Sequence, residues 1–100
     1  MRIVIILLMS TVLWMGCSNS SSSSQQVVSG FSIYQDRCAI CHGNDGKRGM
    51  NGAKDLTVSP LNINERIQVV TNGRNIMPAF NSMLTKEEIQ AAAEYTMSLK

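Results

Sequence analysis

Cys38-Ala39-Ile40-Cys41-His42 brings two thiols and an imidazole together within five residues. The spacing Cys-x-x-Cys-His is the attachment signature of c-type haem. On a helix, Cys38 and Cys41 lie three apart and share one face. Each thiol can then add to a porphyrin vinyl group as a thioether. His42 follows directly, and its imidazole can turn under the same ring and bind iron. Two other chemistries use related patterns. A Cys-x-x-Cys pair serves thiol–disulfide exchange, normally where it opens a helix after a strand. It also forms half of a zinc site, which needs a second pair of Cys or His ligands. The chain holds one His and three Cys in all, so zinc finds too few partners.

Iron held by one imidazole needs a sixth ligand if it only moves electrons. Within the region that follows the motif the candidates are Met50, Met77, Met83 and Met97. Lone methionines are more often core fillers than ligands. Met77 differs in its setting, Gly73-Arg74-Asn75-Ile76-Met77-Pro78-Ala79-Phe80. It falls in a non-helical segment between two helices, from which a side chain can reach the far face of a ring. Pro78 fixes its own φ and biases Met77 toward extended backbone, which stiffens the segment. Met50 also lies in a loop and stands second.

Three helices must position these residues. The first is expected over about 29–39, with Ser29 as N-cap and Phe31, Tyr34 and Cys38 at helical spacing. Gly30 inside it implies close approach by another element. After His42, four glycines in the ten residues 43–52 mark a loop. Neither its spacing nor its context fits a phosphate-binding glycine motif. The second helix is expected over about 63–71. Asn62 and Glu65 form a capping-box variant at its start, and Ile63, Ile67 and Val70 form an apolar stripe. Asn72-Gly73 ends it. The third opens on a full capping box, Thr85 with Glu88, and a Leu84–Ile89 staple. Ile89, Ala92, Ala93, Thr96 and Leu99 lie on one side, with Tyr95 as the nearby aromatic anchor.

The chain has 100 residues, enough for one small domain. Arg2 and the apolar run over 3–15 read as a signal peptide, too short for a membrane span, which needs ~20 residues. Gly16-Cys17 at its end resembles a bacterial lipobox. Trp14 and Met15 depart from the usual residues there, and Leu13 sits one position early. Residues 1–16 are thus expected to be a lipoprotein-type signal peptide, with Cys17 as the lipidated first residue of the mature chain. The alternative is an uncleaved N-terminal anchor with the same topology. Residues 17–26 are Ser-rich and uncharged, a flexible tether. Residues 27–100 form the folded domain, about 74 residues, where a plain apolar core is marginal. A covalently fixed cofactor would complete that core, so the chain without it is expected to fold poorly. Cys17 takes lipid while Cys38 and Cys41 take haem, and no disulfide is required.

Charge is nearly balanced. Of nine Lys+Arg, removing Arg2 leaves eight against seven Asp+Glu. No basic stripe with interleaved aromatics suits nucleic acid, and strong electrostatic steering is not expected.

In combination these motifs resemble class I cytochrome c, of the small bacterial monohaem type. The matching residues are Gly30, Tyr34, Cys38-Ala39-Ile40-Cys41-His42-Gly43, Asn51-Gly52-Ala53-Lys54-Asp55-Leu56, Gly73, Met77-Pro78-Ala79-Phe80, Leu84-Thr85 and Ile89 through Tyr95. They cover essentially all of 27–100. The resemblance implies an all-α cytochrome c fold, three main helices and loops wrapped around one covalent haem c. It implies thioether links at Cys38 and Cys41 and axial ligation by His42 and Met77. It also implies that the Gly30 helix crosses the Tyr95 helix closely. One departure is that many members place a proline shortly after the motif, near the carbonyl that receives the His ring N–H. Ala53 occupies that region here, and which carbonyl orients His42 is left open. The implied function is single-electron transfer between membrane-associated respiratory components, with no enzyme activity. Partners would be an oxidase, a reductase or another cytochrome, with the membrane reached through the N-terminal lipid or anchor. The protein would be exported and periplasm-facing. The alternative is an open or labile-Met iron site that binds small ligands or peroxide, against which the absence of a second His counts.

Overall fold

The computed structural model describes Gly16 and residues 27–100. The expected signal peptide, Cys17 and the tether lie outside the described residues. Four helices follow in order: α1 (Gly30–Arg37), α2 (Ala39–His42), α3 (Ile63–Asn72) and α4 (Lys86–Met97), with a 3₁₀ turn at Met50–Gly52. Among the described residues, none of the helices is long and apolar enough to cross a membrane.

The three longer helices start where their caps dictate. Ser29 accepts from the Ser32 N–H. Asn62 with Glu65, and Thr85 with Glu88, each make both bonds of a capping box. These satisfy backbone donors that a helix start leaves orphaned. At the other end of α3, the Gly73 N–H returns to the Val69 carbonyl. Asn72 falls inside the helix, one residue beyond the expected end.

The first helix departs from expectation. It does not reach residue 39 as one helix. Arg37 ends α1, Cys38 adopts φ −113° and ψ −37° as a hinge residue, and α2 starts afresh at Ala39. The Cys41 and His42 N–H groups both return to the Cys38 carbonyl, so the motif keeps a helical turn of its own. Phe31 is also not a core residue. It is 55% exposed and stacks edge-on to Tyr95 with centroids 5.6 Å apart. Leu99 lies beyond the end of α4, yet packs against the Tyr34 cluster.

Packing follows two pairs. α1 and α3 both lie on α4. A Cβ at Gly30 would run into the Ala91 carbonyl and stand 3.2 Å from Tyr95 Cβ. Only a residue without a side chain lets α1 cross α4 at that distance. Ala92 and Ala93, both buried, keep the α4 surface low elsewhere. Tyr34, fully buried, fills the α1–α4 junction beside Cys38 and Ala39. A second cluster of Val70, Phe80 and Ile89, with Ile67, Met77 and Leu84 against it, joins α3 to α4. The Leu84–Ile89 staple belongs to this cluster.

Candidate functional site

A cleft of about 360 Å³ opens between α2, the 3₁₀ turn, α3 and the segment after α3. That volume is in the range of small-molecule and cofactor pockets. Cys38, Cys41, His42 and Met77 all line it. So does Met50, while Met83 and Met97 lie elsewhere and are about half exposed.

His42 is buried at the end of α2. Its Nδ1–H donates to the Lys54 carbonyl at 3.0 Å. That bond fixes the tautomer and leaves Nε2 as the lone-pair nitrogen. The carbonyl left open by the missing proline is therefore that of Lys54, one residue after Ala53. The next carbonyl but one along the chain from Cys41, that of Gly43, receives the Tyr34 hydroxyl at 2.6 Å. Tyr34 thus ties α1 to the end of α2 and holds His42 from behind. Burial, with Cys38, Tyr95 and Asp45 nearby, pushes the Tyr34 hydroxyl up to about 12.

The two thiols are free. Burial first, then the neighbouring Cys41, pushes the Cys38 thiol up to about 11. Thiol exchange needs a thiolate at working pH, so this environment counts against a dithiol redox role. Among the described residues, no group of three His, Cys, Asp or Glu is placed to share a metal ion, which counts against zinc.

Met77 is half-buried and packs on the Val70–Phe80–Ile89 cluster. Its backbone is pinned on both sides. Arg74 and Met77 exchange N–H···O bonds of 3.1 and 3.0 Å. The Phe80 N–H returns to the Val70 carbonyl at 3.0 Å. Gly73 makes the turn possible. At φ 71° and ψ 170° it occupies a region essentially restricted to glycine. A Cβ there would stand 2.6 Å from the Met77 carbonyl oxygen and 2.8 Å from the Ala79 nitrogen. Met50, by contrast, sits exposed on the 3₁₀ turn and has no comparable lock.

Arg66 is the residue that sequence reading missed. It is 8% exposed and lines the cleft. Its signal was present, because Ile63, Arg66, Ile67 and Val70 share the spacing of the apolar stripe of α3. A cation on that stripe is carried inward by the helix. The charged residues of the cleft wall form another pattern invisible in net charge. Arg37, Lys54, Arg66 and Arg74 line the cleft and no Asp or Glu does. Balanced composition hides a segregated surface.

The residues fit a covalently attached haem. Leu56, Leu61, Val69, Val70 and Phe80 supply apolar walls for a flat macrocycle. Two thiols stand on one side with an imidazole whose free nitrogen is already selected, and a pinned thioether lines the same cavity.

The comparisons agree with this fit. Residues 25–95 match the family described as cytochrome C oxidase, cbb3-type, subunit III. Cytochrome c6 of Leptolyngbya boryana is 36% identical over 74 residues, covering 68% of this chain and 86% of that protein. The crystal structure of cytochrome c6 from the diatom Phaeodactylum tricornutum superposes with a TM-score of 0.61 at 32% identity, covering 69% of this chain and 87% of that one. The c-type cytochrome KustC0563 superposes with a TM-score of 0.65 at 25% identity, covering 73% and 99%.

Proposed function

The chain belongs to the cytochrome c family, with one covalently bound haem c and similarity to the cytochrome c6 electron carriers, and on that premise we propose how its own residues carry out single-electron transfer. Cys38 and Cys41 would hold the haem as thioethers. His42 and Met77 would bind its iron. The observation that carries this reading is the convergence of all four side chains on one cleft, with the imidazole oriented by the Lys54 carbonyl.

When bound, the haem supplies an iron that takes up and releases one electron, and a Met ligand raises its potential relative to two nitrogens. The protein's part is to keep the surroundings the same in both oxidation states. Lys54 O prevents the His42 ring from turning. The Arg74–Met77 pair and the Phe80–Val70 bond keep the thioether in place. Leu56, Val70 and Phe80 exclude water from the ring. A site that moves little on gaining charge transfers electrons with little reorganisation. The proposed role is carriage of single electrons.

The visible spectrum of the holoprotein, oxidised and reduced, tests the reading. A thioether-to-iron charge-transfer band at the red edge of the oxidised spectrum is the expected result. Its absence, together with rapid carbon monoxide binding by the reduced form, favours the ligand-binding alternative instead.

The same reading places the domain, residues 27–100, outside the cytoplasm. Residues 1–16 serve as the signal peptide, Cys17 carries lipid and 17–26 form the leash. A leash raises the local concentration of the domain beside membrane-bound partners, an oxidase, a reductase or another cytochrome. Labelled palmitate incorporation that persists in a Cys17→Ala variant would sink the lipid assignment.

A further inference from the structure

Three apolar side chains stand in solvent at the start of α1. Val27 is 92% exposed, Val28 38% and Phe31 55%. Single exposed apolar residues are ordinary on a protein surface. Three of them within residues 27–31 form a patch, and patches mark contacts. Phe31 is also held in place. Its ring meets Tyr95 edge-on at 5.6 Å, and Tyr95 in turn tilts against the buried Tyr34 at 5.0 Å. The core thus fixes one side of an aromatic ring and leaves the other side in water.

Two further observations say what covers the patch. The chain carries no charged residue between Arg2 and Asp36. This segment can therefore enter an apolar interface without stripping water from an ion. The patch also lies directly after residues 17–26, the Ser-rich tether. A Gly/Ser-type linker of that length has a root-mean-square span of about 16–19 Å. With lipid at Cys17, that span keeps the patch within reach of the bilayer, at an effective concentration that sustains a weak contact.

We propose that Val27, Val28 and Phe31 seat the domain on the lipid bilayer, entering the boundary between headgroups and acyl chains. The inference rests on the lipid-anchor reading above. A contact of this size is weak alone and acts only because the tether joins the domain beside it. Its consequence is orientation. Val27, Val28, Phe31 and Tyr95 do not line the cleft, whereas Arg37 does. Arg37 ends α1, about 9 Å further along the helix axis than Phe31. Seated by its first turn, α1 keeps the cleft clear of the lipid and open to a redox partner.

The test uses the native full-length holoprotein on phosphatidylethanolamine–phosphatidylglycerol vesicles. The vesicles contain a phospholipid with a diazirine near the top of its acyl chain. After irradiation, peptide mass spectrometry reads where the lipid inserts. Phe31 should be labelled severalfold more than Ile76 and Met83, which are 72% and 46% exposed. Val27→Ser with Val28→Ser, both at exposed positions, keeps the tether length and should cut the labelling of Phe31 severalfold. Even labelling of Phe31, Ile76 and Met83 shows a domain that tumbles on its leash and overturns the proposal. Phe31 labelling that survives the double substitution also overturns it, because nearness to the tether then suffices. Phe31 labelling that falls as protein crowds the vesicle puts a second copy of the chain on the patch and overturns the bilayer contact. Flotation of the same sample separates the two readings. A native chain that does not float with the vesicles overturns the lipid anchor, whereas one that floats but labels evenly overturns only the seating of the patch.

Discussion

Gly73→Ala should loosen Met77, although Gly73 itself does not line the cleft. Gly73 stands at φ 71° and ψ 170°, where a residue with a Cβ is strained by about 1–3 kcal/mol. The added methyl would also meet the Met77 carbonyl oxygen at 2.6 Å and the Pro78 carbonyl carbon at 2.9 Å. Both contacts are with backbone, so no rotamer change relieves them. The strain exists only while the 73–77 turn is closed. Opening the turn releases it, and the open state gains by a factor of roughly 5–150. In the open state the thioether cannot stay on iron. Carbon monoxide binding by the reduced protein reads that population directly, because the ligand enters only when Met77 leaves. The rate should rise by that same factor, and the oxidised charge-transfer band should weaken. A Gly73→Ala protein with native carbon monoxide kinetics, native band and native unfolding midpoint would refute both the turn geometry and the assignment of Met77.

Other expectations follow from single contacts. Gly30→Ala drives a methyl into the Ala91 carbonyl and should lower holoprotein stability by about 1–3 kcal/mol in a guanidinium titration, whereas Ser32→Ala on the exposed face of α1 should change it little. Stability should also fall in alkali: the Tyr34 hydroxyl is raised from 10.0 to about 12 in the fold, so its contribution is complete below pH 10 and lost as pH rises through 12. Tyr34→Phe should remove that segment of the stability–pH curve, and an unchanged slope in the variant would count against it. The cationic cleft wall predicts that a small anionic redox reagent exchanges electrons faster than a cationic one of similar potential at low salt. The gap should close near 0.1 M, where the Debye length is ≈ 10 Å, and narrow in Arg74→Glu, while rates indifferent to salt would contradict it.

Much of the fold could be read from local chemistry. Asn62, Glu65, Thr85 and Glu88 announce two helix starts because capping is satisfied within four residues. Gly30 implied a close neighbour, and its partner proved to be Ala91 on α4. The break at Cys38 was not legible, since Cys38 to His42 keep helical spacing on either side of it. Phe31 shares helical spacing with Tyr34, but spacing alone does not tell which edge of a face ends at solvent. The Lys54 carbonyl could not be named because backbone acceptors leave no mark in side-chain identity. Arg66 lay on the apolar stripe of α3 in plain view, yet a single cation among apolar residues reads as a long side chain reaching outward. The carbonyls of Leu56, Ser59, Leu61 and Thr96, with the Thr96 hydroxyl, make its burial tolerable, and most of these lie far from it in sequence.

On the ligation proposed above, the His42 and Met77 positions would be secured by different physics, and this sets the order in which they would fail. His42 is held by the helical turn it ends, by the Lys54 carbonyl, and by thioethers at Cys38 and Cys41 a residue or a turn away. Losing any one of these leaves the others. Met77 depends on one turn, whose closure rests on a glycine-only conformation and a pair of backbone bonds to Arg74. The thioether it would offer the iron is neutral, the weaker of the two proposed ligands. Mild denaturant should therefore release Met77 while His42 remains bound, so that the charge-transfer band disappears before α1, α3 and α4 unfold. Coincident loss of the band and of helical circular dichroism, measured across the same denaturant series, would show that the Met77 turn belongs to the cooperative core.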